Sequence, residues 1–207
     1  MIGVTIIRRE EQTPSMWSGY PATQLAAWPG NATSAKGDFS WWLGITSLQR
    51  EEALFPPLPG VSRPVMPLER DITLVQGGNP PVSLNAFETG VLDAREETRL
   101  HGSGLLFDLM LRKPFSGYLG WICEDVASVW RPASPILSFK GVYSLCEEVK
   151  FSLTATPGIA SYSLTLRRND FLLITHKDTE YTIKVTRHTG SGPQGILCVT
   201  ADTHADQ

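Results

Sequence analysis

One arginine in this chain stands in a setting that restricts its backbone on both sides. Arg63 follows the turn Leu58-Pro59-Gly60 and precedes Pro64. A planar guanidinium donates two parallel hydrogen bonds and therefore matches a carboxylate. Placed at the start of a strand inside a small β-barrel, Arg63 would anchor an anionic group. Because no obvious nucleophile or metal ligand stands beside it, the segment predicts a binding pocket more readily than a reaction.

Asp108 bears on how Arg63 is interpreted. It lies downstream in the block 102–110, Gly-Ser-Gly-Leu-Leu-Phe-Asp-Leu-Met. Arginine side chains are mostly exposed in proteins, so Arg63 could instead lie at the surface or form an internal ion pair with Asp108. A direct pair would partly cancel the anchor. An inward, buried Asp108 would also suit a general base.

Three tryptophans and two polar residues complete the candidates for a binding site. Trp17, Trp41 and Trp42 could wall a pocket, although aromatic residues at alternating strand positions usually pack in the core. Regular alternation puts Trp41 and Trp42 on opposite faces of their strand. Thr23 and Gln24 could hydrogen-bond a ligand, or could equally satisfy the edge of a strand.

The sequence carries no motif for metal or nucleophilic chemistry. A transition metal needs three or four converging ligands, whereas the histidines are isolated at His101, His176, His188 and His204. There is no Gly-x-Ser-x-Gly elbow. The cysteines Cys123, Cys146 and Cys198 have apolar neighbours and no metal-ligand spacing. We therefore expect no metal, no other cofactor, and buried free thiols in a reducing cytoplasm.

Composition excludes several classes of partner. The chain has 207 residues, 19% of them charged, and a net charge of −3. That balance offers no field for nucleic acid and no basic patch for anionic lipid. No run approaches the ~20 apolar residues that cross a bilayer, and the N-terminus is unlike a signal peptide. We expect a cytoplasmic protein with no nucleic-acid or membrane partner, and the sequence leaves its oligomeric state open, a homodimer included.

Short alternating segments separated by Gly, Pro, Asn and Asp predict an all-β chain. The predicted strands are 4–9, 24–28, 39–48, 61–66, 71–75, 82–87, 104–112, 149–154, 162–166, 170–175, 181–186 and 196–200. Residues 113–135 resemble a linker, with a short helix over 119–129. Strands of this kind are typical of sandwiches and barrels. We expect two β-barrels packed together, residues 1–118 and 119–207, with the boundary within 113–135.

The motifs, taken in order over roughly residues 15–112, resemble the HutD/Ves family of bacterial bicupins. The matching segments are 17–25 (Trp-Ser-Gly-Tyr-Pro-Ala-Thr-Gln-Leu), 28–29 (Trp-Pro), 39–44 (Phe-Ser-Trp-Trp-Leu-Gly), 55–63 (Phe-Pro-Pro-Leu-Pro-Gly-Val-Ser-Arg) and 106–110 (Leu-Phe-Asp-Leu-Met). The resemblance implies two cupin barrels of the RmlC-like jelly-roll type. In the family, proteins encoded near histidine-degradation genes look like sensors or governors of histidine utilisation, proposed to bind a small acidic metabolite.

Several positions depart from the family pattern. The usual Arg is Trp42, the usual Glu is Gln24, the usual Asp is Leu106, the usual Asn is Asp108, and glycines are replaced by Tyr20 and Arg70. The family position of Trp42 is polar and inward, which makes Trp42 the better pocket residue of the Trp41–Trp42 pair. Its indole would shrink the pocket and make it less polar.

Three hypotheses follow for the function. The preferred one is a non-enzymatic, metal-free bicupin that binds a small organic carboxylate. The proposed ligand-binding residues are Arg63, Trp42, Trp17, Asp108, Thr23 and Gln24, and no catalytic residue is assigned. The second is a cofactor-free isomerase or lyase with Asp108 as base. The third is a degenerate cupin that serves as an interaction module.

Overall fold

The computed structural model describes residues 2–122, 128–130, 138–155, 161–176, 180–189 and 196–203. One 3₁₀ turn, Arg9–Glu11, and nineteen strands occupy these residues. The strands are β1 Ile2–Ile7, β2 Thr13–Trp17, β3 Tyr20–Trp28, β4 Trp41–Leu48, β5 Glu52–Phe55, β6 Val61–Pro67, β7 Ile72–Gln76, β8 Val82–Leu84, β9 Gly90–Leu92, β10 Thr98–His101, β11 Gly104–Arg112, β12 Phe115–Ile122, β13 Ser128–Trp130, β14 Ser138–Ser144, β15 Glu148–Ala155, β16 Ser161–Arg167, β17 Phe171–His176, β18 Tyr181–Thr189 and β19 Ile196–Thr203.

The first compact unit comprises Gln12–Leu119. It contains a six-stranded sheet of order β2-β3-β4-β11-β6-β9 and a four-stranded sheet of order β5-β10-β7-β8. Buried side chains from both sheets form one cluster, with Trp42, Leu106 and Met110 from the first sheet and Phe55 and Leu100 from the second. The two sheets therefore enclose a common apolar interior, as expected for a barrel of jelly-roll type.

The second unit combines Met1–Glu11 with Gly120–Gln207. Its sheets have the orders β1-β17-β14-β19-β12 and β13-β18-β15-β16. A cluster that includes Val142, Phe151 and Ile174 forms its core, and Val4 and Ile6 pack against that cluster. Val4 and Ile6 of β1 are thus partly buried in this unit, where β1 pairs antiparallel with β17 along its whole length.

One carboxylate fixes the segment that follows β1. Asp170, 2% exposed, accepts hydrogen bonds from Arg8 Nη1 at 2.6 Å and from the amides of Arg9 and Arg167 at 3.2 and 2.8 Å. Three donors satisfy a buried anion that would otherwise be costly to bury. Asp170 therefore ties the end of β1 to the turn between β16 and β17.

The fold is all-β, as predicted, but β12 and β13 lie in the region 113–135 that was predicted to resemble a linker, and two further predictions differ from the structure. The predicted helix over 119–129 is wrong. Residues up to Ile122 belong to strand β12, and Ser128–Trp130 form strand β13. Residues 123–127 lie outside the described ranges. The first eleven residues lie in the second unit, whereas the sequence-based division of 1–118 and 119–207 placed them in the first. Their strand partner, β17, is more than 160 positions away, so local patterning carries no signal for it.

Two simpler expectations concern cysteines and membranes. Cys146 is buried and forms no disulfide, while Cys123 and the side chain of Cys198 lie outside what the structure describes. None of the described residues forms a helix that is long and apolar enough to cross a bilayer.

Candidate functional site

The interior of the 12–119 unit has a charged centre built on neighbouring strands. β6 and β11 pair antiparallel with Asp108 opposite Val65, and β6 pairs on its other side with β9, where Arg63 lies opposite Leu92. Arg63 lies two residues before Val65 and so points to the same face as Asp108. The two side chains are diagonal neighbours across the strand pair, a separation that long side chains bridge.

Arg63 and Asp108 form a buried ion pair. Arg63 Nε donates to Oδ1 at 3.0 Å and to Oδ2 at 3.2 Å, and Nη2 donates to Oδ2 at shorter range. Only 2% of Arg63 and none of Asp108 is exposed to solvent. The pair uses the Nε–Nη2 edge of the guanidinium, so Nη1 lies outside it. The anchor predicted from the sequence therefore points inward, and its first partner is a carboxylate of the protein itself.

Aromatic rings enclose the guanidinium. Arg63 Cζ lies 4.3 Å from the centroid of Phe55 and 4.9 Å from that of Trp17. Those rings meet edge-to-face with centroids 6.5 Å apart, and Tyr20 packs edge-on against Phe55 at 5.8 Å. A cation–π contact away from water contributes about 2 kcal/mol. We call Trp17, Phe55 and Tyr20 the aromatic box; it holds the charge in place and excludes water from it.

Tyr20 also borders the surface. It lines a groove of about 240 Å³ together with Ser18, Gly19, Pro21, Gln49 and Arg50. Its hydroxyl accepts a hydrogen bond from the amide of Leu54 at 3.1 Å. Tyr20 thus lines this groove and also contacts Phe55, whose ring lies against the guanidinium.

Trp42 fills the interior beside Asp108. The indole is fully buried, and its Nε1 donates to Gln24 Oε1 at 2.7 Å. Its six-membered ring lies over Gly44, which is paired with Asp108 on one side and with Gln24 on the other. A Cβ on Gly44 would stand 2.2 Å from Trp42 Cη2 and 2.6 Å from the carbonyl oxygen of Thr23. The absence of a side chain at Gly44 is therefore what gives the indole its place.

Two buried donors beside the charged centre have no hydrogen-bond partner among the described atoms. They are Thr46 Oγ1, on a fully buried residue of β4, and Trp17 Nε1 of the aromatic box. Thr46 lies two residues from Gly44 on the same face and is therefore a diagonal neighbour of Asp108. Buried polar groups are nearly always hydrogen-bonded, to ordered water if to nothing else. The charged centre thus has unused hydrogen-bonding capacity on two sides.

Most of the residues predicted to bind a ligand, but not all of them, face the interior of the 12–119 unit. Arg63, Asp108, Trp17, Trp42 and Gln24 meet in the interior. Thr23 does not, because it pairs with Ile45 whereas Gln24 pairs with Gly44, and successive residues of a strand face opposite sides. Trp41, also buried, lies one residue from Trp42 and on the other face.

Three residues of the site were missed by the sequence analysis: Phe55, Gly44 and Thr46. Phe55 belongs to the segment that resembles the cupin family and precedes a proline. Nothing in the sequence distinguishes Gly44 and Thr46 from other residues of an alternating strand.

Metal ligands do not converge in the part of the chain that the structure describes, where no three His, Cys, Asp or Glu side chains form a group. His101 is exposed at the end of β10. The side chains of His176 and His188, and all of His204, lie outside the described residues.

Comparisons with known proteins place this fold. The sequence matches no protein-family model and shows no significant similarity to a curated protein. Its structure is similar to that of HutD from Pseudomonas fluorescens SBW25, with a TM-score of 0.71 and 14% identity over 98% of this chain and 100% of that one. A conserved protein of unknown function from Pseudomonas aeruginosa PAO1 gives 0.74 and 15% identity, covering 97% of this chain and 100% of its own.

The similarity extends to more distant cupins. The pirin YhhW from Escherichia coli, solved in complex with nickel(II), gives a TM-score of 0.59 and 10% identity, covering 98% of this chain and 100% of that one. Identities this low relate folds and leave ligands undecided. The chain thus has an all-β, HutD-like cupin fold.

Proposed function

We propose that the 12–119 unit binds a small carboxylate at Arg63 and that the protein acts as a non-enzymatic binding or regulatory protein. The observation that carries this proposal is the arrangement around the guanidinium. One edge is held by Asp108, Cζ lies over two aromatic rings at 4.3 and 4.9 Å from their centroids, and Nη1 lies outside the ion pair. A guanidinium fixed in this way loses little entropy when it binds a further anion.

The unused donors support the same proposal. A carboxylate at Nη1 has oxygens left to accept hydrogen bonds, and Trp17 Nε1 belongs to a ring already in contact with Arg63. Ligands of this size bind weakly. The binding free energy of very small ligands does not exceed about 1.5 kcal/mol per non-hydrogen atom. Acetate has four such atoms, so its dissociation constant is roughly 40 µM at best.

The arrangement argues against a general base at Asp108. Both of its oxygens accept hydrogen bonds from Arg63, which stabilises the carboxylate in place. A general base must instead lie within hydrogen-bonding distance of the proton that it removes. A substrate would first have to separate a buried pair, and uncompensated buried charges are strongly destabilising.

The interaction module remains a second candidate because Trp42 fills much of the interior. The indole has no exposed surface and packs in the same cluster as Leu106 and Met110. A barrel filled in this way would keep its fold without a ligand. This account replaces the first if no small carboxylate binds.

The test compares two conservative substitutions. Arg63→Lys keeps the positive charge and loses the planar fork, so we expect acetate and formate affinities to fall at least tenfold, which corresponds to about 1.4 kcal/mol. The control is Arg95→Lys, since Arg95 lies in the same unit, pairs with Asp93 and is 81% exposed at its side chain.

Dissociation constants from ligand-observed NMR on the wild-type chain and both variants decide the matter. The proposal predicts saturable binding to the wild type and to Arg95→Lys. Equal affinities for Arg63→Lys and Arg95→Lys, or no binding to the wild type at ligand concentrations of tens of millimolar, would contradict it.

A further inference from the structure

We infer that Trp42 limits the ligand at Arg63 to the shortest carboxylates, so that formate and acetate fit and longer acids do not. The inference rests on the proposed binding function and names the ligand class of the same site. It starts from the position of one ring. The row of residues that faces the interior across β3, β4 and β11 runs from Gln24 through Gly44 to Asp108.

Gly44 would leave an open slot in the middle of that row, and the indole occupies it. The distal edge of the Trp42 ring takes the place that a side chain at Gly44 would need. A Cβ on Gly44 would lie 2.2 Å from Trp42 Cη2 and 2.5 Å from Trp42 Cζ2. The ring therefore lies directly beside Asp108, whose carboxylate holds Arg63 on its other side. A ligand chain extending from Nη1 across Asp108 would meet the indole within one strand spacing, or about 4.8 Å.

The indole is fixed and cannot easily move aside. Its Nε1 donates to Gln24 Oε1 at 2.7 Å, and Gln24 Nε2 donates in turn to the carbonyl of Ala32 at 3.1 Å. Both ends of the Gln24 amide are thus engaged, and the ring is fully buried. A rotation of the ring would break a buried hydrogen bond and leave Nε1 without an acceptor, which is unfavourable for a buried donor.

The other walls of the site leave little additional room. Trp17 and Phe55 lie against the guanidinium, and Arg63 and Asp108 are 2% and 0% exposed. Trp42 is the wall that a substitution can remove without touching the anchor, since it makes none of the described hydrogen bonds to Arg63 or Asp108. It is accordingly the residue that sets ligand length.

A homologous series of acids tests this inference. Dissociation constants for formate, acetate, propionate and butyrate are measured by ligand-observed NMR on the wild type, Trp42→Phe and Trp41→Phe. Trp41 is a matched control, because it is the adjacent buried tryptophan of β4 and lies on the opposite face. A second variant, Gln24→Met, removes the acceptor that fixes the indole and keeps the length of the side chain.

We expect wild-type affinity to fall at least tenfold from acetate to butyrate. Trp42→Phe should raise butyrate affinity at least tenfold and change formate affinity less than threefold, because the anchor is untouched. Gln24→Met should shift the series in the same direction by a smaller factor, and Trp41→Phe should give the wild-type series.

Two results overturn the inference, and they differ in what they imply. If the wild type binds butyrate as tightly as acetate, or if Trp42→Phe and Trp41→Phe behave alike, Trp42 does not set the length and carboxylate binding still stands. If no acid binds any of the four proteins, the proposed function fails together with the inference.

Discussion

Removing either partner of the Arg63–Asp108 pair should destabilise the 12–119 unit strongly, whereas removing both should not. The two residues are 2% and 0% exposed, and Arg63 donates to both oxygens of Asp108. Breaking a buried pair from one side leaves an uncompensated charge, which costs about 3–5 kcal/mol. We therefore expect Arg63→Met and Asp108→Leu each to lower the free energy of unfolding by about that amount.

The double variant carries the diagnostic information. Replacing a buried pair by apolar side chains of similar volume is often neutral or stabilising by about 1–4 kcal/mol. Arg63→Met combined with Asp108→Leu should then restore the free energy of unfolding to within about 1 kcal/mol of the wild type, with a large favourable coupling energy in the cycle. The four proteins are compared by urea denaturation followed by tryptophan fluorescence. If the single variants lose less than about 1 kcal/mol, the pair is not desolvated as described and the reasoning is refuted.

Three further predictions concern other parts of the chain. Gly44→Ala should lower the free energy of unfolding by about 1–3 kcal/mol or more, since the new methyl group would overlap the Trp42 ring; unchanged stability in thermal denaturation would mean that the ring does not lie there. Asp170→Asn should lower the free energy of unfolding by about 1–3 kcal/mol, because its hydrogen bonds to Arg8 and the backbone become weaker. Hydrogen exchange of the β1 amides should become faster. Protection equal to that of the wild type would contradict the role of Asp170. Burial raises the pKa of Tyr143 above its usual range, and Arg9 opposes this shift while Asp170 adds to it. The hydroxyl therefore loses its proton at a lower pH in the unfolded chain than in the folded one. Above pH ~10, the free energy of unfolding should fall by up to about 1.4 kcal/mol per pH unit. Tyr143→Phe should remove that part of the slope in denaturation measured from pH 9 to 11.5, and identical slopes would count against it.

Local patterning predicts much of the strand content. β11 spans Gly104–Arg112, the range that alternation and the flanking turns predicted, and β4 and β6 agree with their predictions within two residues at each end. β6 follows Gly60 and ends at Pro67, and β11 begins at Gly104, so part of the signal is contained in the segment itself. β1 shows the opposite case. Its boundaries were close, but its partner β17 lies in a distant part of the chain.

The candidate site was predictable only in part, because it depends on register. That Arg63 and Asp108 could pair was one of the alternatives, yet the pair exists only when β6 and β11 align with Val65 opposite Asp108. A shift of one residue would turn Asp108 to the other face. Thr23 illustrates the same sensitivity, since its neighbour Gln24 faces the interior and Thr23 does not.

The filling of the interior could not have been read from the sequence. A tryptophan at position 42 suggested a smaller pocket, but its placement depends on the missing side chain of Gly44 and on the acceptor from Gln24 in the neighbouring strand. Close packing of this kind is a property of several strands together. The sequence shows which residues are available, and the three-dimensional alignment decides which of them meet.

The most direct test of the account is the side-chain NMR signal of Arg63 during titration with acetate. Because its Nε–H is buried and bonded to Asp108, this signal should be protected from solvent exchange, and Arg63→Lys identifies it by its disappearance. We predict that acetate shifts the Arg63 signal saturably, and that the same additions leave the exposed Arg95 unaffected. An Arg63 signal that stays unchanged while acetate reaches tens of millimolar would contradict the claim that this guanidinium is the anchor.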